Sequence, residues 1–273
     1  VSANRPVDTL PTRQRLRPSV QQLTAPQLEG IRAAIGEMAK IEDDRGFQHL
    51  AGLHGGPPKS YCQHGYSDQR NPDVYHGAPL FLPWHRAYLH FFELAMQDRV
   101  GEVTLAWWDW TSPQSHHEGI PAGYTGSGNP LAGQPIAKGH RRPKGIPEDS
   151  WREPDTPGNL PEASELTEIL ALPSFMDFST QLEQQLHNRV HGWVGGAMGS
   201  VPIAAFDPIF YAHHCMIDRA WRLWQLQHGQ PGPPAASWGT VLEPFPMKVE
   251  DVLNVANLGY DYAGSTSGVG GTA

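Results

Sequence analysis

The sequence predicts a mainly α domain, a four-helix bundle holding a dinuclear metal centre, with long surrounding loops and few short strands. Three observations predict it. Apolar residues recur at helical spacing in four segments, Gly and Pro crowd the stretch between the second and third of these, and histidines gather beside aromatic residues on both sides of that stretch. The first helix is expected over Thr24 to Met38, with Thr24 as cap, Pro26 in the first turn and Leu28, Ile31, Ile35 and Met38 on one face. The second starts near Pro83 and runs through Trp84, Tyr88, Phe91, Phe92 and Ala95 until Gly101. From Ser112 to Pro161 no long regular element is expected. A third helix covers Phe175 to Val194, and a fourth, rich in aromatics, opens at Asp207-Pro208 and lasts to about His228. Four such helices imply a bundle. Val103 to Trp108 is a candidate strand, and Gly264 to Ala273 is read as a flexible tail after a single domain over residues 1–263.

Composition narrows the function classes. The chain has 273 residues, a net charge of −8 and 39% hydrophobic content, which suits one domain with a full core. The acidic balance argues against nucleic acid, because clustered Lys and Arg are confined to short stretches such as His140-Arg141-Arg142. No apolar run approaches the ~20 residues that cross a bilayer, so a soluble chain without a membrane partner is expected. Val1 to Leu10 lacks the order of a secretory signal; a signal removed upstream of Val1 would leave the same sequence. Cys62 and Cys215 cannot form a disulfide framework.

Histidine is the outlier, with 14 in the chain. Imidazole in apolar surroundings needs a partner, and a metal is a common one. In His187-Asn-Arg-Val-His191 a separation of four puts both rings on one helix face, within reach of one ion. The fourth helix carries His213-His214, whose side chains diverge by about 100°, so one is expected as ligand and the other beside it. A third group comprises His54 and His76 on loops and His85 on the second helix. Imidazole sites without paired thiolate or carboxylate favour copper, iron or zinc over magnesium or calcium. Neither helical pair has the His-Glu-x-x-His arrangement of zinc hydrolases.

These residues resemble a family. His54-Gly, His76-Gly-x-Pro-x-Phe-x-Pro-Trp-His85-Arg86, His187-Asn188-x-Val-His191-x-Trp193 and Asp207-Pro-Ile-Phe-Tyr-Ala-His-His214-x-x-Ile-Asp218-Arg219 are similar, in order, to the paired motifs of type 3 copper proteins: tyrosinases, catechol oxidases and molluscan haemocyanin units. The resemblance implies two copper ions: CuA on His54, His76 and His85, and CuB on His187, His191 and His214, with His213 beside the substrate pocket. Cys62-Gln63-His64-Gly65 imitates the Cys-x-His pattern of some relatives, in which a Cys is joined to a CuA histidine, and makes His64 the alternative to His76. His76 is preferred because it precedes His85 by nine, the family interval.

The expected partners are O2, small phenols and a copper-delivery protein. The resemblance implies a polyphenol oxidase that turns ortho-diphenols into ortho-quinones and ortho-hydroxylates monophenols; its alternatives are a catechol or ortho-aminophenol oxidase without hydroxylation, and a haemocyanin-like oxygen carrier. The chain stops soon after Leu258-Gly-Tyr260-Asp-Tyr262, which resembles the tyrosine motif ending the catalytic domain, and an uncovered site favours catalysis. Arg15 and Arg17 resemble arginines that stack on that motif, a contact worth about 0.5–2 kcal/mol. Glu183 and Asn188 match the acidic and amide positions held to orient a water for phenol deprotonation, which matters because phenol ionises near pH 10. Val201 and Gly192 stand where bulkier groups narrow the pocket in relatives, so a wide entrance is expected.

Overall fold

The structure, a computed structural model, describes residues 14–56, 59–67, 75–140 and 145–264. Strand β1 (Arg15–Arg17) leads into α1 (Ala25–Met38), which starts where the sequence says it should. Thr24 accepts from the Gln27 amide while the Gln27 side chain accepts from the Thr24 amide, a reciprocal cap that satisfies two otherwise unpaired donors. Helix α2 (Phe47–Gly55) was not expected; its wall of Phe47, Leu50 and Ala51 is buried, and it ends at His54-Gly55-Gly56. The segment is too short, and too glycine-rich at its end, for periodicity to separate it from a loop.

A two-stranded antiparallel pair, β2 (Tyr66–Ser67) and β3 (Tyr75–His76), precedes α3 (Phe81–Gln97). Pro83 falls in the first turn of α3, where a missing N–H costs nothing, and Phe81, Trp84, Tyr88, Phe92 and Met96 are buried at helical spacing. Val103 to Trp108 is not a strand. Its one ladder contact is an isolated bridge between Trp107 and Ser19, because no second strand lies alongside it among the described residues.

The Gly- and Pro-rich stretch holds the short α4 (Pro113–Glu118), then long loops pinned from within by Arg152. Its guanidinium donates twice to Asp207 and also to the carbonyls of Tyr124 and Leu131. Next come α5 (Ala163–Leu170), also unforeseen, and a continuous helical path over the expected third helix: α6 (Phe175–Gln181), a π-helical segment (Leu182–His187) and α7 (Asn188–Val194). Helix α8 (Ile209–His228) is buried on nearly every side in its first half and stops at Gly229, whose φ of 63° is a conformation glycine adopts without penalty. Strand β4 (Tyr260–Tyr262) closes the fold by pairing in parallel with β1, Arg15 opposite Tyr260 and Arg17 opposite Tyr262. Helices α3 and α8 pack together at the centre, and the histidine-bearing segments surround their crossing. No helix among the described residues is long and apolar enough to cross a membrane. Apart from Gly264, the stretch read as a tail lies outside the described residues.

Candidate metal centre

Each half of the centre is built from side chains that the helices aim at one point. His54 comes from the last turn of α2, His85 from the second turn of α3, and His64 from the loop between them. Together with Cys62 their donor atoms lie within 4.8 Å of one another. His187 ends the π-helical segment, His191 lies one turn further on, and His213 and His214 project from α8; these four form the second group under the same limit. The groups face each other. The His85 and His214 rings stack with centroids 4.3 Å apart and planes 15° from parallel, and His64 and His187 are 5.6 Å apart.

The structure corrects one ligand. His64, not His76, completes the first group: His76 is exposed on β3 and stacks on Tyr66 at 5.0 Å. His76 ends β3, whose pairing with β2 holds it away from the centre, so the interval of nine joins a helix histidine to a strand residue outside the group. Behind the hairpin, a Cβ on Gly77 would lie 2.0 Å from the Thr180 hydroxyl, a close approach that only glycine permits. His54, expected on a loop, is instead on a helix.

Backbone and side-chain acceptors orient the rings. The Nδ1–H groups of His54, His85 and His191 donate to the carbonyls of Val201, Phe81 and Met198 at 3.1, 2.8 and 2.7 Å. That of His187 donates to Asn188 Oδ1 at 2.9 Å, and that of His64 to Glu183 Oε1 at 3.1 Å. Each such bond leaves Nε2 as the free donor, the arrangement by which metal-binding imidazoles are usually held. Burial, and secondarily the neighbouring imidazoles, pushes His54, His85, His187, His213 and His214 well below the ordinary value, and burial brings His191 down to about 4. All six rings are therefore neutral near pH 7, with lone pairs available.

The donor chemistry fits two copper ions. Among the described residues, Nε2 of His54, His64 and His187 is buried without a hydrogen-bond partner, which is costly unless something else accepts the lone pair. His214 stacks on His85 of the other group; His213, fully buried, also keeps a donor atom within the second group, its ring 5.3 Å from His187 and 22° from parallel. Val201 and Met198 belong to one loop that supplies a carbonyl to His54 in one group and to His191 in the other. Gly192 is exposed, and a Cβ there would meet nothing within 4 Å.

Glu183 and Asn188 stand behind ligands. Glu183 is buried; its Oε1 accepts from His64 and from the Gly65 amide at 2.8 Å, while Oε2 has no hydrogen-bond partner among the described residues. Sequence reasoning missed that Glu183 reaches the first group, although the π-helical turn still keeps it on the His187 side. Cys62 and Cys215 are both free; Cys62 Sγ lies 3.4 Å from His85 Nε2, and burial, with the charge of Glu183, pushes its thiol up. Of the two arginines expected at the terminal tyrosines, Arg17 stacks on Tyr260 at 3.6 Å, whereas Arg15 only pairs in the strand.

Known proteins are similar to this chain in sequence and fold. A family model described as the common central domain of tyrosinase matches residues 44–152 and 132–227. "Hemocyanin A-type, units Ode to Odg" from Enteroctopus dofleini is 32% identical over 251 residues, covering 85% of this chain but 20% of that protein. The chain thus spans about a fifth of that relative's length. Among solved structures, deoxygenated hemocyanin from Rapana thomasiana has a TM-score of 0.77 at 25% identity, covering 92% of this chain and 70% of its own. A tyrosinase from Burkholderia thailandensis has a TM-score of 0.74 at 22% identity, covering 91% and 74%, a likeness of fold.

Proposed function

This chain belongs to the tyrosinase central-domain family of type 3 copper proteins, and we propose that it oxidises ortho-diphenols to ortho-quinones with O2, with ortho-hydroxylation of monophenols as a preceding activity. When bound, the two copper ions supply the exchange of electrons with O2. Two catechols each give up two electrons and two protons, and one O2 takes them to become two waters.

Access to the centre supports an enzyme. His54, His85, His187, His213 and His214 are at most 2% exposed, whereas the His64 side chain is 23% exposed and His191 is half-buried. These two more exposed rings mark the side from which a planar phenol would approach the centre. His64, His54 and His85 would hold CuA, and His187, His191 and His214 would hold CuB, with His213 as a buried wall behind His187. Glu183 and Asn188 act as positioning residues through His64 and His187; the unpartnered Glu183 Oε2 is the group left to accept a phenolic proton. Gly192 and Val201, the latter 46% exposed, keep the mouth wide for substituted phenols, catechols or ortho-aminophenols.

The second reading, an oxygen carrier, is favoured by the hemocyanin relatives in sequence. An O2 electrode separates the readings. Sustained uptake with catechol and with its monophenol supports the tyrosinase reading, and uptake with catechol alone selects a diphenol oxidase. Reversible O2 binding without quinone would overturn both in favour of the carrier. In an enzyme, Glu183→Gln keeps an acceptor for His64 but removes the carboxylate, so the monophenol rate should fall relative to the diphenol rate; an unchanged ratio excludes the proton-accepting role.

A further inference from the structure

Beneath the two histidine groups, α3 and α8 are joined by a buried network of charge. Arg86 follows His85 on α3, and Asp218 lies one turn beyond His214 on α8; Arg86 Nε donates to Asp218 Oδ1 at 2.5 Å. The other oxygen of Asp218 accepts from the hydroxyls of Tyr260 and Tyr262, both at 2.6 Å. Arg17 of β1 donates through Nε and Nη2 to Glu93 of α3 at 3.0 and 3.1 Å, and its Nη1 donates to the Tyr262 hydroxyl at 3.0 Å while lying 3.6 Å from Asp218. The Arg86 guanidinium lies 3.5 Å over the Trp221 ring, and its Nη1 donates to the Val252 carbonyl. Arg17, Arg86, Glu93 and Asp218 are each at most 3% exposed, so two cations and two anions balance in the core.

Apolar packing of equal volume would stabilise the helix pair at least as well, because buried charges lose their hydration. What an ion network adds is direction. Hydrophobic contacts tolerate small slides between helices, whereas hydrogen bonds of fixed geometry break when one helix moves along the other. The crossing bolted by Arg86 and Asp218 is the one at which His85 of the first group stacks on His214 of the second.

We propose that Asp218 is the positioning residue that sets the spacing of the two histidine groups, so that the pairing of β1 with β4 through Arg17, Tyr260 and Tyr262 governs copper retention. The inference rests on the dicopper centre and holds whether the protein is an oxidase or a carrier. It makes β1 and β4 part of the metal site although neither carries a ligand.

The test compares copper-free and copper-loaded full-length protein for wild type, Asp218→Asn, Tyr260→Phe and Tyr262→Phe. Melting temperature and the rate of copper loss to a chelator are both read. Asp218→Asn should cut the copper-dependent rise in melting temperature by more than half and speed loss of both ions about tenfold. Each Tyr→Phe change keeps its ring, deletes one bond to Asp218 and should give a smaller shift of the same sign, which carries the test if Asp218→Asn does not fold. Equal lowering of copper-free and copper-loaded melting temperatures, with unchanged release, would reduce the network to a stabilising role and overturn the proposal. A wild type that takes up fewer than two copper ions per chain would overturn the dicopper reading with it.

Discussion

The two histidine groups meet at one helix crossing but are assembled differently. The second is the more local: two of its three rings, His187 and His191, ride one helical path, with orienting acceptors, Asn188 Oδ1 and the Met198 carbonyl, one and seven residues away, and only His214 comes from another helix. The first is a composite. Its three rings come from a helix end, a loop and another helix, and only His85 finds its acceptor nearby, at Phe81. His54 depends on Val201, 147 residues away, and His64 on Glu183, 119 away. A local site inherits its geometry from helix formation, whereas a composite site exists only once the tertiary fold has brought its supports together. The first group should therefore be the one more easily lost.

Breaking this comparison begins with the ligands. His64→Ala and His214→Ala should each reduce bound copper from about two ions per chain to about one and lower turnover by more than about 100-fold, read by metal analysis and O2 uptake. If His64→Ala kept both ions, the first group would be wrongly composed. The supports come next. Glu183→Leu removes the distant acceptor of His64 and should weaken the first ion about 10- to 100-fold, while Asn188→Ala, acting on a helix-held ring, should cost the second ion less, near the low end of that range. Competitive chelation measures both, and equal losses would remove the distinction between local and composite halves.

The crossing that joins the halves gives a pH signature. Burial alone would raise the Asp218 carboxyl, but Arg86, Arg17 and the two tyrosine hydroxyls hold it below its ordinary value. Its contribution to stability is then complete above about pH 4 and lost as the pH falls through the lower folded value. Urea midpoints of wild type and Asp218→Asn should differ most near neutrality and converge toward strong acid; a gap that stays constant would contradict this. The smallest effect belongs to His76→Ala. Exposed and outside both groups, it should change copper content and turnover by no more than about twofold.

Much of this was legible without coordinates. Thr24 and Pro26 mark the start of α1, and the four-residue spacings around Pro83, Phe178 and Asp207 locate the ligand-bearing helices, because capping and periodicity are short-range properties. His187 and His191 could be paired by the same helical spacing, whereas His214 was chosen over His213 only through the family resemblance. Helix α2 escaped notice, since a nine-residue segment ending in His-Gly-Gly carries little periodicity. The interval of nine favoured His76, which β3 holds away from the centre, whereas the Cys62-Gln63-His64-Gly65 pattern pointed to the histidine that the fold brings beside His54 and His85.

The sequence by itself determined the chemistry available: an excess of imidazoles, two of them paired by helical spacing, in a chain suited to a helical core. Only the tertiary structure decided which histidines meet, that Glu183 supports His64 and that β1 and β4 are joined beneath the histidine groups. The bond from His64 to Glu183 spans 119 positions and that from Arg17 to Tyr262 spans 245, and such contacts are set by packing between elements, which no local pattern encodes.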